Sequence, residues 1–511
     1  VFLTHDVTYE RKIKEIFIAQ ELEKIYPKDK IMEFYINNIY YANGHYGILA
    51  AANGYFGKGV NQLTLSESAF LCAIPNNPSK YDPITSMDNT LERRDRILKQ
   101  MYDDGKINLI DYRQALDEKI VLNHEKAGKK DYVETFVYHS AIRALMKKEG
   151  FEFRNQFIDD EDKRKYQDSY DKLYYGYQKK LYNGGYRIYT SIDLNKQGQL
   201  QGSVDEILNK FTDKNQEGIY KLQGAAVCID NDTGKVVAII GGRSQDYQGY
   251  TLNRGYQSYR QPGSAIKPLI VYTPSFERGY TPDSIVVDEP IEDGPKNSGG
   301  TYSGEMKLQR AIEVSKNTIA WKLYGELTPQ VGISYLLKMN FAKIVDDDYY
   351  LAASLGGLTI GVSPLEMAAA YATLANDGYY REPTCIIKIT DAEGNELVED
   401  NTVPRQIYQA KAARIVTEAL CGVIKNGTAK GLGLNNTISA GKTGTTDERR
   451  DGWFVGYTPY YTTSVWVGCD IPETIDDLKG SSYPGAIWQK YMNEIHTPEM
   501  DKSFETYESY Q

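Results

Sequence analysis

The sequence predicts a multidomain α+β protein, in which a helical N-terminal part and a linker precede a domain built on an antiparallel sheet flanked by helices. At 511 residues the chain exceeds the length that one hydrophobic core usually spans. Apolar residues recur at helical spacing in the first part, whereas strand patterns bounded by turns start only near residue 184. The strands do not alternate regularly with helices, which argues against a parallel sheet.

The N-terminal part is predicted to be helical. Apolar positions three and four residues apart indicate helices over residues 11–26, 31–39, 65–74 and 91–101. Glycines between the second and third of these segments interrupt the pattern with turn chemistry. We therefore predict a first domain over residues 1–125.

The stretch that follows is charged, rich in tyrosine and only weakly periodic, which is typical of a connecting module. Toward its end, an alternating strand at residues 186–192 precedes a helical pattern at residues 194–211. We predict a linker over residues 126–215, a main domain over residues 216–495 and a C-terminal tail over residues 496–511.

The main domain begins and ends with pairs of strands. Residues 224–229 and 235–240 are two apolar segments joined by the turn sequence at residues 230–234, which indicates a hairpin. A second pair is predicted at residues 452–457 and 462–467, and mostly helical patterns lie between the two pairs. This order predicts one sheet whose strands come from both ends of the domain, with an inserted helical lobe.

Composition excludes several classes of function. The formal net charge is −10 and the isoelectric point is near 5.3, so no nucleic acid is expected as a partner. The five cysteines are widely spaced, with no CxxC pair or Cys/His cluster. They predict neither a metal site nor a disulfide framework, and we expect them to be small buried side chains.

Membrane segments are not apparent in the sequence. No segment approaches the roughly 18 uninterrupted apolar residues of a membrane span, and residues 1–10 lack the zones of a signal peptide. The first residue is Val1 rather than a methionine. We therefore expect this sequence to be the later part of a longer protein whose N-terminal membrane anchor is missing.

Three short motifs carry candidate chemistry, and the first pairs Ser264 with Lys267. Pro262 and Gly263 precede the serine and Pro268 follows the lysine, which predicts an abrupt turn into the first turn of a helix. Residues three apart on a helix share a face, so the amine lies within reach of the hydroxyl. The same spacing recurs elsewhere in the chain, so this context singles the pair out.

The other two motifs lie further along the chain. They are Ser315-Lys316-Asn317 and Lys442-Thr443-Gly444-Thr445-Thr446. Taken alone, the serine and asparagine of the second motif are typical of a cap or turn. All three motifs in this order, about 50 and then about 130 residues apart, are much less expected by chance.

Together the motifs resemble those of the serine penicillin-recognising superfamily. Surrounding segments narrow the resemblance to class A penicillin-binding proteins; they are residues 253–254, 260–264, 355–357, 361–368 and 451–459. The resemblance covers nearly the whole chain. It implies a helical, lysozyme-like glycosyltransferase remnant, a small linker and a β-lactamase/transpeptidase-like domain.

The resemblance implies that Ser264 is a nucleophile, and none of the five histidines lies in the motifs to activate it. Lys267 is the expected base, with a pKa lowered by burial and by the charge of Lys442. Ser315 is expected to pass a proton to the leaving amine. Asn317 is expected to hold Lys267 and the substrate amide in place.

Substrate binding is expected at the third motif. Lys442, with Thr443 and Thr445, would hold the terminal carboxylate of the peptide by charge-assisted hydrogen bonds, and Gly444 belongs to the same segment. Backbone N–H groups of Ser264 and Thr445 form the expected oxyanion hole. No metal or organic cofactor is needed.

The family's substrate is the D-Ala-D-Ala end of a cell-wall stem peptide. Ser264 would attack it and release D-Ala, and an amine of a neighbouring glycan strand would then take the acyl group. β-Lactams would acylate the same serine covalently. The resemblance also implies lipid II as a substrate of the longer protein, on the extracytoplasmic face of the bacterial cytoplasmic membrane.

Arg11, Lys12 and Glu15, with segments up to residue 58, resemble later motifs of the family's glycosyltransferase domain. In that family the glutamate matching Glu15 lies in the cleft, and the principal base belongs to an earlier motif that this sequence lacks. We therefore predict no glycan polymerisation by this chain. The alternative interpretation is a set of ion pairs on a helix surface, at three- and four-residue spacing.

Two other functions remain open at the level of sequence. A D,D-carboxypeptidase or β-lactamase would resolve the acyl-enzyme with water. The glycosyltransferase-like segment argues against it, as does Lys316, because many class A β-lactamases have Asp at the matching position. A non-catalytic β-lactam sensor would keep the reactive serine but would not cross-link glycan strands.

Overall fold

The computed structural model describes residues 9–507 apart from residues 44, 46, 123–130, 216, 217, 245–251 and 401, and describes the backbone alone at residues 9–15, 38 and 183. The chain forms two compact units. The first unit comprises Val1–Lys129, Ser169–Arg187 and Thr390–Glu396, and the second Lys130–Asp168, Ile188–Ile389 and Leu397–Gln511. The bounds of the four segments predicted from the sequence stay a prediction.

The N-terminal part is helical, as predicted. Its helices are α1 (Tyr9–Ile25), α2 (Lys28–Asn38), α3 (Ile48–Phe56), α4 (Leu65–Ala73), α5 (Met87–Asp103) and α6 (Leu109–Asp117). A capping box fixes the start of α4, because the Thr64 hydroxyl and the Glu67 carboxylate each accept a hydrogen bond from the other residue's backbone N–H. Tyr55, Phe70 and Leu71 are among the residues that form its hydrophobic core.

The region between the N-terminal helices and the main sheet is more regular than its composition suggests. It contains α7 (Tyr132–Lys148), α8 (Asp160–Asn183), β1 (Arg187–Thr190) and α9 (Leu194–Leu208). Neither α7 nor α8 was predicted. Asp131 caps α7 by accepting from the Glu134 N–H, and three acidic residues in the first turn of α8 favour that helix N-terminus.

The main domain follows with a mixture of strands and helices. In chain order they are β2 (Leu222–Asp230), β3 (Val236–Ile240), α10 (Arg254–Gln257), α11 (Thr273–Glu277), β4 (Ile285–Asp288), β5 (Gly304–Lys307), α12 (Leu308–Glu313), α13 (Asn317–Leu327), α14 (Pro329–Lys338), α15 (Pro364–Ala375), β6 (Tyr379–Tyr380), β7 (Ile386–Thr390), β8 (Glu396–Glu399), β9 (Arg405–Gln406), α16 (Ala410–Asn426), β10 (Ala440–Thr445), β11 (Asp451–Tyr457), β12 (Tyr461–Cys469) and α17 (Tyr483–Ile495).

The main sheet has five antiparallel strands in the order β10-β11-β12-β2-β3. The predicted hairpin joins β2 to β3, where Asp230 accepts hydrogen bonds from the Thr233 backbone and hydroxyl, and Gly234 has a φ of +72°. Strands from both ends of the domain thus share one sheet, as predicted. Strand β10, which carries the third motif, is one of its edges.

Helices cover both faces of this sheet. Side chains alternate between the faces of a strand, so Phe454 and Tyr457 of β11 point to opposite sides. The Phe454 ring packs against Trp488 of α17, with ring centroids 4.9 Å apart, and the Tyr457 ring packs against Tyr371 of α15 at 6.2 Å. The domain is therefore a helix–sheet–helix sandwich, with α17 and α15 on opposite faces.

The cysteines differ in part from the expectation of burial. Cys228, Cys385 and Cys469 are buried, but Cys421 is half-buried and Cys72 is exposed. Cys72 lies on the outward face of α4, whose buried face includes Ala69, Phe70 and Ala73. Across the part of the chain that the structure describes, no helix has the length and apolarity needed to cross a membrane.

Candidate active site

Ser264 lies in a tight helical turn beside strand β10. Gly263–Ile266 form one turn of 3-10 helix, and Pro268–Tyr272 continue it as a π-helical turn. Side chains three apart are eclipsed in a 3-10 helix, so Ser264 and Lys267 lie on the same side of the turn. The sequence predicted this shared side but not the kind of helix.

Two glycines allow the serine segment to approach β10 closely. A Cβ atom added to Gly444 would lie 2.2 Å from the carbonyl oxygen of Pro262, and one added to Gly263 would lie 2.9 Å from that of Thr445. Gly263 also has a φ of +52°, a left-handed conformation that favours glycine. Only residues without a side chain fit at these two positions. The two glycines therefore allow the first and third motifs to lie in direct contact.

The amine of Lys267 is buried and contacts the second motif. Its Nζ donates to Asn317 Oδ1 at 2.7 Å and to the backbone oxygen of Ser315 at 3.1 Å, and lies 3.4 Å from Ser315 Oγ. Burial, reinforced by the charge of Lys442, holds the pKa of Lys267 well below its usual range. A neutral amine at this position is able to accept a proton.

Lys442 reaches the same serine hydroxyl from β10. Its Nζ donates to Ser315 Oγ at 2.9 Å and to the carbonyl oxygen of Thr443 at 3.1 Å. Burial lowers the pKa of Lys442 to about 7. In the same strand, the Thr443 hydroxyl is paired with that of Thr428 at 2.7 Å, and Thr445 Oγ1 accepts from a backbone N–H in the loop before α17 at 3.0 Å.

A buried carboxylate anchors the second motif. Asp288 accepts from Lys316 Nζ, Thr318 Oγ1 and Asn297 Nδ2, each at 2.6 Å. Asn297 Oδ1 in turn accepts from the backbone N–H of Asn317 at 2.8 Å. Burial alone would raise the pKa of Asp288, but the hydrogen bonds from Lys316, Thr318 and Asn297 lower it to about 2. The acid is therefore ionised at neutral pH, and it fixes the loop.

This anchor explains how Ser315 keeps an unusual backbone conformation. Its φ is +58°, in the left-handed region that non-glycine residues rarely adopt. Asp288 and Asn297 were not predicted from the sequence, since neither belongs to a recognisable motif. Lys316 was the available signal, because a lysine whose side chain becomes largely buried needs an acid nearby.

Further contacts hold the serine segment from the sheet and from α15. The Tyr371 hydroxyl donates to the backbone oxygen of Ala265 at 2.6 Å, directly after Ser264. Trp453 Nε1 donates to the backbone oxygen of Gln261 at 2.9 Å. The candidate nucleophile is thus fixed by two buried aromatic side chains from different layers of the domain.

The residues of the glycosyltransferase-like segment are described less completely. Arg11, Lys12 and Glu15 lie in α1, but their side chains lie outside the described residues. Their proposed positions in a cleft therefore stay a prediction. Elsewhere, no cluster of three or more histidine, cysteine or acidic side chains among the described residues is arranged to hold a metal ion.

Comparison with known proteins defines the family. A profile described as "Penicillin binding protein transpeptidase domain" matches residues 224–495, and one described as "Transglycosylase" matches residues 1–102. Penicillin-binding protein 4 of Bacillus subtilis is 37% identical over 495 residues, covering 96% of this chain and 77% of that protein. The chain belongs to the class A penicillin-binding proteins.

A second relative supports the same assignment, and a solved structure shows the same fold. Penicillin-binding protein 1A of Aquifex aeolicus is 32% identical over 562 residues, covering 99% of this chain and 76% of that protein. The 2.6 Å crystal structure of penicillin-binding protein 1A from Haemophilus influenzae has the same fold, with a TM-score of 0.70 at 23% identity, over 94% of this chain and 87% of that one. The predicted fold class is confirmed.

Family membership assigns the broad function. It supports a D,D-transpeptidase role and a glycosyltransferase role in the synthesis of peptidoglycan, with peptidoglycan as substrate and β-lactams as ligands. Carboxypeptidase, β-lactamase and sensor functions are not favoured. The family acts on the cell wall.

Proposed function

We propose that this class A penicillin-binding protein cross-links stem peptides through an acyl-enzyme on Ser264. The convergence of two buried amines on one hydroxyl carries the proposal: Lys267 Nζ lies 3.4 Å and Lys442 Nζ 2.9 Å from Ser315 Oγ. Such a pair supplies a base and a carboxylate clamp without a histidine.

Acylation starts with proton transfer from Ser264 Oγ to the neutral amine of Lys267. The oxygen then bonds to the carbonyl carbon between the last two D-Ala residues of the stem peptide. Backbone N–H groups of Ser264 and Thr445 stabilise the oxyanion that develops, where one such donor is worth about 10²–10³ in rate. The C–N bond breaks, and the leaving nitrogen takes a proton through the Ser315 hydroxyl, so free D-Ala departs.

The third motif positions the substrate. In its protonated form Lys442, with the hydroxyls of Thr443 and Thr445, binds the terminal carboxylate of the peptide. The flanking Gly444 keeps this segment within contact of the residues before Ser264. Asn317 holds the Lys267 amine through the bond of 2.7 Å and offers its amide to the peptide backbone.

Deacylation completes the cross-link. An amine of a second stem peptide attacks the carbonyl carbon of the Ser264 ester, the C–O bond to Ser264 breaks as the new amide bond forms, and the proton lost by the amine passes to the serine oxygen. β-Lactams acylate the same oxygen. We place this reaction on the extracytoplasmic face of the bacterial membrane, where lipid II would be the glycosyl substrate of the longer protein rather than of this chain.

The proposal is tested with glycan strands that carry pentapeptide stems. The unaltered chain should release D-Ala and form peptide dimers. Lys267→Arg should lower D-Ala release by about 10²–10⁴, because arginine stays protonated and cannot act as the base. Lys411→Arg, on the exposed surface of α16, is the matched control and should keep the full rate. Unchanged release by Lys267→Arg would contradict the assigned role.

A further inference from the structure

A cavity of about 470 Å³ lies in the second unit, and none of the residues of the three motifs lines it. One wall is the face of α7 that carries Phe136, His139 and Arg143. Tyr259, a few residues before the nucleophile, forms part of a second wall, and Glu366 in the first turn of α15 forms part of a third. The volume falls within the range of about 300–1,000 Å³ typical of small-molecule sites.

The walls offer fixed aromatic surfaces. His139 stacks on Tyr256, with ring centroids 4.8 Å apart, and the Arg143 guanidinium lies 3.7 Å from the centroid of the Phe153 ring. Burial and the charge of Arg143 lower the pKa of His139 to about 3, so this ring is neutral at neutral pH. Flat, neutral rings of this kind pack against the apolar parts of a ligand.

Some of the charged side chains that line the cavity are paired with one another, and others remain available to bind a ligand. Glu382 is paired with Arg143 at 3.3 Å and with Lys147 at 3.5 Å. Lys148 at the end of α7 and Glu399 at the end of β8 also line the cavity, are exposed, and have no ion pair among the described residues. One available cation and one available anion on different elements complement a ligand that itself carries both signs of charge.

We propose that this cavity is a second peptidoglycan site, which binds a short stem peptide and thereby acts on Ser264. A stem peptide carries carboxylates and, where it accepts a cross-link, an amine, so it matches the two available charges. The choice of ligand rests on the proposed transpeptidase function.

Two connections lead from the cavity to the segment that carries the nucleophile. The first is a backbone bridge between the residues that follow Tyr259 and precede Ser363. Tyr259 is followed by Arg260, whose backbone N–H and carbonyl both pair with Val362 at 2.9 Å. Val362 is followed by Ser363, which caps α15 and lines the cavity. A ligand that contacts Tyr259 and Ser363 therefore touches the chain neighbour of each partner in this backbone bridge.

Helix α15 provides the second connection. Its first turn lines the cavity, and its Tyr371 hydroxyl donates to the residue after Ser264. Glu366 accepts from the backbone N–H groups of Ser363 and Ala342, each at 2.7 Å, so the first turn is held as one piece with the loop after α14. A bound peptide that orders this wall favours one position of the nucleophile and raises the rate of acylation.

Binding is measured with the Ser264 site blocked by penicillin. A soluble stem tripeptide with a side-chain amine but no D-Ala-D-Ala end is titrated calorimetrically into the acylated chain. We expect saturable binding at one site. Ala144→Trp, which fills the cavity from α7, should weaken it roughly tenfold or more, and Lys148→Glu about threefold to tenfold. The matched control, Lys411→Glu on exposed α16, should bind as the unaltered chain does.

The effect on Ser264 is measured as the rate of labelling by a fluorescent penicillin, with and without the tripeptide. We expect a rise of about fivefold that is lost in Ala144→Trp. Any of three results would overturn the inference. They are absence of binding to the acylated chain, unchanged binding in both cavity variants, and binding without a change in the labelling rate. A chain that no penicillin labels would instead contradict the proposed function, so the two failures are distinguishable.

Discussion

Lys267 and Lys442 have the same side chain, and their surroundings give them different properties. Both amines are buried, which penalises the charged form. Burial lowers the pKa of Lys442 to about 7, whereas the pKa of Lys267 is held well below its usual range by burial and, in addition, by the charge of Lys442. Of the two, Lys267 is thus the one expected to be neutral and to act as the base, with Lys442 as the cation.

The depressed pKa of Lys442 predicts a dependence of stability on pH. Its ordinary value is 10.5 and its folded value about 7, so the unfolded chain binds more protons between these pH values. Stability therefore rises with pH in that window. We predict that the free energy of unfolding of the unaltered chain, relative to Lys442→Met, increases from about pH 7 to about pH 9.

Urea unfolding at a series of pH values measures this difference. Lys411→Met replaces an exposed lysine on α16 and should show no such trend relative to the unaltered chain. A constant difference between the unaltered chain and Lys442→Met across the window would mean that the amine keeps its ordinary pKa in the folded protein.

The Asp288 anchor predicts that a residue outside the motifs controls the reaction. Asp288→Asn keeps the shape of the side chain but leaves the Lys316 ammonium buried without its counter-charge, which costs about 3–5 kcal/mol. We expect the rate of penicillin acylation to fall about tenfold or more, because Ser315 and Asn317 lose their fixed positions.

A double variant distinguishes the effect of the unpaired Lys316 charge from the effect of losing the fixed positions of Ser315 and Asn317. Adding Lys316→Met to Asp288→Asn removes the unpaired ammonium, and should recover part of the stability but not the rate of acylation. The exposed Asp476→Asn serves as control and should change neither quantity. Full acylation by Asp288→Asn in its folded state would show that the network does not position the motif.

Among the elements, β10 depends on a glycine for its contact with the serine turn. Gly444→Ala would place a methyl group 2.2 Å from the Pro262 oxygen and so separate the first and third motifs. We predict that acylation falls about 100-fold, since a displacement of about 1 Å has that effect on positioned groups. Rates of labelling by a fluorescent penicillin provide the measurement.

Gly202 is the matched control for this substitution. It lies within α9, and a Cβ there would meet nothing within 4 Å. Gly202→Ala should leave acylation unchanged and stabilise the helix by about 0.5–1 kcal/mol. Equal rates for Gly444→Ala and the unaltered chain would mean that the close contact is not needed.

Elements with strong periodicity could be predicted from the sequence, and those without it could not. The hairpin β2–β3, strands β11 and β12 and helix α15 follow clear patterns of apolar residues. Helix α8 was missed because its charged and tyrosine residues give a weak pattern, although they suit a mostly exposed helix. The 3-10 and π-helical turns at Ser264 depend on tertiary contacts with β10 and α15. No local pattern in the sequence indicates these contacts, so the two turns could not be predicted.

The same distinction holds for the candidate site. Ser264, Lys267, Ser315, Asn317 and Lys442 lie in short motifs, and the structure brings the three motifs together. The anchor of the second motif, by contrast, comes from side chains in other segments, whose hydrogen bonds appear only after folding.

At the scale of the whole molecule, the two family profiles leave residues 103–223 unassigned between them. That interval contains α7, which forms a wall of the proposed second peptidoglycan site. Composition alone indicated a connecting module there. The structure adds that part of this interval belongs to the same compact unit as the nucleophile.

The covalent bond that a β-lactam should form with Ser264 tests the proposed chemistry most directly. Intact-protein mass spectrometry after incubation with penicillin measures this directly, with peptide mapping to locate the adduct. We predict a single penicilloyl adduct on the unaltered chain and none on Ser264→Ala. An unmodified wild-type protein, or an adduct that survives Ser264→Ala, would contradict the account.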